Sequence, residues 1–220
     1  MPEGPDQWCP LCDAVLDGQG GHPRCCMAGG DRVLRHNAVR NKTFRLAALA
    51  GANPELEKAG LLLPERPGDS ASQRRPADIY LPAWDGGIPV ALDFAVTAPQ
   101  RQDYLRASAA EPLAAAAAYS ATKREYKNTA ADCASQGVTF QPMVVETSGA
   151  WSAEGLQVLR RLAKAAGIRL GKDPGVVLRE FLETTSVAVR RANARAHIKR
   201  RGLIATTPTA DLSPEDVLSA

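Results

Sequence analysis

The segment Val90-Ala91-Leu92-Asp93-Phe94-Ala95-Val96-Thr97 alternates strictly. Val90, Leu92, Phe94 and Val96 form an apolar face, while Ala91, Asp93, Ala95 and Thr97 form a small, open one. This predicts a strand over 88–98, partnered by another over 77–83 across Asp85-Gly86, a strong hairpin signal. Upstream, Val33, Leu34, Val39, Leu46 and Leu49 recur at helical spacing among arginines, predicting a helix from Asp31 to about Ala50 that Gly51 ends. A strand is expected over 55–63 and a Pro-, Gly- and Ser-rich loop over 64–76. An alanine-rich stretch over 100–135 reads as one helix, or two broken at Pro112, and a strand follows over 138–146. Helices are expected over 152–166 and 174–201, divided by Gly167 to Pro174. The tail is loose apart from a short helix begun by Ser213-Pro214. Helix, three strands, helix, strand and helices predict a mixed α/β domain with one central sheet.

Composition narrows the class. With 220 residues, 45% apolar and 23% charged, the chain can bury a core and is not expected to be disordered. It has no apolar run long enough to span a membrane. Met1 to Asp6 lacks the basic and apolar regions of a signal peptide, so an intracellular protein is expected. The net charge of +3 conceals an asymmetry. Residues 151–202 carry a net +8, residues 203–220 a net −3 and the rest a net −2. A basic segment on a near-neutral body points to a polyanionic partner on one face.

Four of the five cysteines fall within residues 9–26. Cys9-Pro10-Leu11-Cys12 supplies a pair of thiolates on a tight knuckle, and His22 with Cys26 completes a tetrahedral set for structural Zn²⁺. Cys25 is an alternative fourth ligand. Disulfides compete poorly, given the histidine and the expected compartment. Cys133 reads as a buried thiol.

If Asp85 and Gly86 form the turn, paired residue numbers sum to 171 and Asp78 faces Asp93. Pro82 and Pro89 would then pair without a donor, so a bulge or longer loop is expected. Two facing carboxylates on an apolar sheet repel each other and favour a divalent cation such as Mg²⁺ or Mn²⁺.

Pro76-Ala77-Asp78 followed by Asp93 resembles the PD-(D/E)xK motif of restriction-endonuclease-like nucleases. Joined to Cys9, Cys12, His22 and Cys26, and to Arg35-His36-Asn37, Arg75-Pro76, Pro142 and Val145 to Gly149, it resembles a more specific group. This is the endonuclease region downstream of reverse transcriptase in early-branching, site-specific non-LTR retrotransposons. The resemblance covers about Cys9 to Trp151. It implies a restriction-endonuclease-like mixed sheet flanked by helices. The implied divisions are a zinc module (1–30), a nuclease-like core (31–150), a basic helical extension (151–202) and a mostly flexible tail (203–220).

It further implies a Mg²⁺-dependent endodeoxyribonuclease that leaves a 3′-hydroxyl, nuclear in a eukaryotic host, with reverse transcriptase or element RNA supplied separately. Asp78, Asp93 and the Phe94 carbonyl would hold the metal. The motif's usual lysine position is Ala95, so the resemblance implies a lysine relocated to the next helix. Lys123 is preferred, with Lys127 behind it on the same helical face. Glu57, Glu146 and His36 are secondary candidates: a further metal contact, a turn or site acid, and a phosphate contact or extra zinc ligand.

Arg191, Arg195 and Lys199 recur every four residues, with Arg190 and Arg200 beside them, as a stripe for DNA phosphates. Arg35, Arg74 and Arg75 could add to it. The competing expectation is a zinc-containing nucleic-acid-binding module without catalysis.

Overall fold

A computed structural model describes residues 7–18, 20–62 and 75–202. Arg74, most of the 64–76 loop and the Ser213-Pro214 tail helix lie outside the described residues. The elements run β1 (Gln7–Trp8), β2 (Val15–Leu16), α1 (Gly21–Cys25), α2 (Asp31–Leu49), β3 (Glu55–Leu56), β4 (Ile79–Asp85), β5 (Ile88–Thr97), α3 (Gln102–Ala110), α4 (Ala114–Glu125), α5 (Thr129–Ser135), β6 (Thr139–Glu146), α6 (Ala153–Leu170) and α7 (Pro174–Arg200). The fold is mixed α/β. A sheet ordered β3-β4-β5-β6 is antiparallel except for the parallel β5/β6 pair, and helices flank it. No helix among the described residues is long and apolar enough to cross a membrane.

The β4/β5 register follows from the alternation. Ile79 pairs with Leu92, Tyr80 with Ala91 and Leu81 with Val90. Asp78 lies just before the paired residues, its amide donating to the Leu92 carbonyl at 3.0 Å and its carboxyl lying against that of Asp93. The turn itself differs from expectation. Gly86 and Gly87 both have positive φ (61° and 84°) and join Asp85 to Ile88, so the turn lies one residue later than Asp85-Gly86. An irregularity between Leu81 and Asp85 absorbs the difference, and Pro82 falls within it, where no ladder donor is required.

Both faces of the sheet are covered. Ile79, Leu81, Leu92, Phe94, Met143 and Val145 pack with Val39, Phe44, Leu159, Leu162 and Phe181 from α2, α6 and α7, and with Trp151 just before α6. Residues 151–202 are therefore part of the main core and not an extension from it. On the other face Ala95, Ala116 and Val144 meet, because small side chains let α4 approach closely.

Three expected elements differ. Strand 55–63 shortens to Glu55–Leu56, since Glu57 adopts a left-handed φ of 46° and ends the pairing. The 100–135 helix is three helices, broken at Leu113 (φ 65°) and again at Lys127 and Asn128 (φ 50° and 56°). Gly167 does not stop α6, which runs to Leu170. A Cβ there would lie 2.8 Å from the Lys172 carbonyl oxygen, so the glycine is required by the close turn into α7.

Candidate functional site

Two sites emerge. The first is the amino-terminal Cys/His cluster. The β1–β2 knuckle is closed by the Ala14 carbonyl, which accepts from the Cys9 amide at 2.7 Å, while the Cys9 carbonyl accepts from Asp13 at 3.0 Å. Asp17 holds the start of α1 by accepting from the amides of Gly21 (2.8 Å) and His22 (2.7 Å). The ligand atoms of Cys9, Cys12, His22 and Cys26 all lie within 4.8 Å of one another. Cys12 Sγ is 3.3 Å from His22 Nε2 and 3.5 Å from Cys26 Sγ. A Zn–S bond of about 2.3 Å gives tetrahedral edges of about 3.8 Å, so the donors fit zinc with little adjustment. Cys25 is outside this group, and all five cysteines are free thiols.

The donors' environment suits a metal. Burial and the Arg200 charge lower the His22 pKa, favouring neutral imidazole. Burial opposes ionisation of Cys26, but Arg200, the Ala28 amide and Cys12 outweigh it and bring its pKa below the ordinary thiol value.

The cluster is fastened to the core from below. Arg200 Nη1 donates to Asp31 Oδ2 at 2.7 Å, with both side chains 0% exposed, and Arg200 Nη2 donates to the Ala28 carbonyl at 3.0 Å. Lys199 Nζ donates to the Gly29 carbonyl at 2.5 Å. Arg35 is buried as well and donates to the Arg24 carbonyl at 3.0 Å. Lys199, Arg200 and Arg35 were expected at a DNA surface; their charged ends are instead committed to the interior. The cationic face left on α7 consists of exposed Arg190 and Arg191 and half-buried Arg195.

The second site is the acid pair. Phe94 meets it through its amide, which donates to Asp78 Oδ2 at 2.6 Å. His36 Nε2, from α2, lies 3.1 Å from the same oxygen, so His36 belongs to this site and not to the zinc cluster. Lys123 Nζ sits 2.9 Å from Asp93 Oδ2 and 3.0 Å from Oδ1. The sequence explains this reach. Ala116, Ser120 and Lys123 share one face of α4; the first two are buried, and one turn further the lysine overhangs Asp93.

Electrostatics divide the two acids. Burial, reinforced by the Asp78 charge and hydrogen bond and opposed by Lys123, pushes Asp93 up to about 6. Asp78 is also buried, yet His36, the Phe94 amide and Lys123 hold it below the usual carboxylate range. Burial opposes protonation of His36, but Asp78 and Asn37 outweigh it and raise its pKa.

The other candidates scatter. Lys127 lies beyond the end of α4, so it does not share Lys123's helical face, but it lines the same cavity of about 210 Å³ with Arg75, Asp93, Lys123 and Tyr126. Glu57 lies between Arg40 (2.7 Å) and Arg75 (3.2 Å), which neutralise it. Glu146 is buried at the end of β6, where it accepts from the Ala116 amide in the first turn of α4; burial raises its pKa. Sequence reasoning missed Asp31, although its place after Gly29-Gly30 at the start of α2 marked a helix start.

No protein-family model matches this chain, and comparison with curated proteins finds no match.

Proposed function

We propose that this protein is a metal-dependent DNA endonuclease of restriction-endonuclease-like fold, derived from a retroelement, with Asp78, Asp93 and Lys123 as its catalytic residues. The observation that carries the reading is Lys123 Nζ at 2.9 Å from Asp93, whose carboxyl lies against that of Asp78. The site thus combines two acids and a lysine beside the two inner strands of the sheet, the constellation the motif requires, with the lysine supplied by α4 in place of Ala95.

The donor set fits a hard divalent ion. Two neighbouring carboxylates with oxygen donors suit Mg²⁺ or Mn²⁺, and the Asp93 pKa is raised by burial first and by the Asp78 charge second, both costs that a cation would relieve. Such an ion supplies Lewis acidity and a more acidic bound water. Lys123 neutralises charge that develops on the phosphate and can hold the attacking water by hydrogen bond. His36 and the Phe94 amide fix the orientation of Asp78. The Cys/His cluster holds structural zinc, because four protein ligands leave no open position for chemistry.

One observation favours a second reading, a nucleic-acid-binding module without catalysis. Each acid already has a basic partner, His36 on Asp78 and Lys123 on Asp93, so the pair is balanced without a metal. A nicking assay on supercoiled plasmid with Mg²⁺ or Mn²⁺ separates the two. Nicking by the wild type that Asp93→Ala abolishes supports the nuclease. Equal activity in both proteins, or none in either, removes it.

A further inference from the structure

A second concave surface lies away from the acid pair, where α1, the turn after β6 and α7 meet, with Gln100 from the β5–α3 loop at its side. Arg24 comes from α1, Thr147 and Ser148 from the turn after β6, and Arg190, Asn193 and His197 from one face of α7. They line a cavity of about 380 Å³, and no carboxylate is among its lining residues. Two guanidinium groups, an imidazole and hydroxyl donors around an open cavity form an anion site.

The floor of the cavity is rigid. Thr147 N donates to the Thr97 carbonyl at 2.8 Å, and Asn193 Nδ2 donates to the Thr147 carbonyl at 2.8 Å, which also fixes the sense of the Asn193 amide. Thr147 is more than nine-tenths buried, yet its hydroxyl Oγ1, which can donate to an anion, has no hydrogen-bond partner among the described residues. An unpaired hydroxyl at such depth is costly, and its presence beside a cationic cavity marks a place built for an acceptor ligand. Arg24 stands between the zinc ligands His22 and Cys26, so the zinc module itself positions one wall. A Cβ on Gly20 would lie 2.1 Å from His197 Cε1, so this glycine lets the module seat against α7.

We infer that this cavity binds a backbone phosphate of a DNA strand. Thr97 is four residues beyond Asp93 on β5, about 13 Å at a rise of about 3.3 Å per residue. A strand rising about 3.4 Å per nucleotide covers that span in about four nucleotides. The span to the acid pair rests on the endonuclease reading; the anion site does not.

The test is fluorescence anisotropy with a labelled DNA duplex and the full-length, zinc-loaded protein, without added Mg²⁺ so that cleavage plays no part. Arg190→Gln removes an exposed charge at the cavity, and Arg179→Gln removes an exposed charge elsewhere on α7. Circular dichroism verifies that both variants keep the fold. Arg190→Gln should weaken binding about three- to tenfold and lower the salt-dependence slope by about 0.9, while Arg179→Gln changes little. Equal effects of the two substitutions would overturn the site. Tighter binding of an RNA duplex than of DNA, with the same Arg190 dependence, would overturn the assignment to DNA. Because binding is read without cleavage, an inactive acid pair leaves this result intact, and loss of the anion site leaves the nicking result intact.

Discussion

Lys123, on an alanine-rich helix, places its ammonium 2.9 Å from Asp93 on a strand thirty residues earlier. This contact links the sheet's small face to its chemistry. Lys123→Ala should reduce plasmid nicking about a hundredfold or more, the usual scale for losing a group that stabilises transition-state charge. Lys127→Ala, a change at the rim of the same cavity, should cost less than tenfold. Initial nicking rates at saturating Mg²⁺ distinguish the two, and a larger loss from Lys127→Ala would reverse their roles.

The Cys/His cluster leads to a second expectation. Native mass spectrometry should find one zinc in the wild type and in Cys25→Ser, and none in Cys12→Ser. Chelation should raise amide exchange across residues 7–30, which have no core of their own, while β5 and β6 stay protected. Loss of zinc from Cys25→Ser would move the fourth ligand to Cys25.

Arg200 and Asp31 form an ion pair with both side chains fully buried. Arg200→Ala leaves Asp31 charged without its partner and frees the Ala28 carbonyl. It should destabilise the protein by about 3–5 kcal/mol in urea unfolding. Replacing the exposed Arg191 by alanine should shift stability by less than about 0.5 kcal/mol.

That contrast explains what the sequence revealed and what it hid. The β4/β5 register was legible because the alternation of Val90 to Thr97 allows one side-chain assignment, and a one-residue slip would expose all of it. The ligand spacing of Cys9, Cys12, His22 and Cys26 was legible because metal geometry is local. The cationic stripe was misleading because Arg200 lies 169 residues from Asp31, and no local pattern reports such a partner. A signal was nevertheless present. Val177, Phe181, Thr185, Val189, Asn193, Ala196 and Arg200 recur at helical spacing on the buried face of α7, which places Arg200 inward. The break at Leu113 was announced by Pro112 beside it, whereas the second break gave only the weaker signal of Asn128, since lysine does not favour the left-handed backbone that Lys127 adopts.

The pKa shifts set the pH dependence of the metal-free protein. Asp93 titrates near 6 when folded and near its ordinary 3.8 when unfolded, so between those values the folded state holds more protons. Its contribution is present below about 4 and lost as pH rises to about 6, a loss of about 3 kcal/mol at most. His36, raised by Asp78, acts in the same direction at higher pH. Asp78, held low, acts oppositely and loses its contribution as pH falls below its ordinary value. Urea unfolding of wild type and Asp93→Asn, compared between about pH 4 and 7, should give a difference that shifts in favour of the variant as pH rises. Any zinc loss at low pH is common to both proteins. A pH-independent difference would remove Asp93 as the group responsible.

The Ala95 position yields the last prediction. Under the proposed endonuclease reading the motif's lysine would stand there, and Ala95→Lys tests whether the site accepts one. The packing argues that it does not. Ala95 is buried against Ala116 and Val144, directly under the helix that carries Lys123. A lysine at this point would force α4 off the sheet or bury an unpaired ammonium, and either costs several kcal/mol. Displacing α4 would also withdraw Lys123 from Asp93. Ala95→Lys should therefore lower both the unfolding midpoint and any nicking rate, and adding it to Lys123→Ala should not restore activity. Rescue in that double variant would mean that the small face can hold a lysine beside Asp93, and that α4 is not what supplies the lysine.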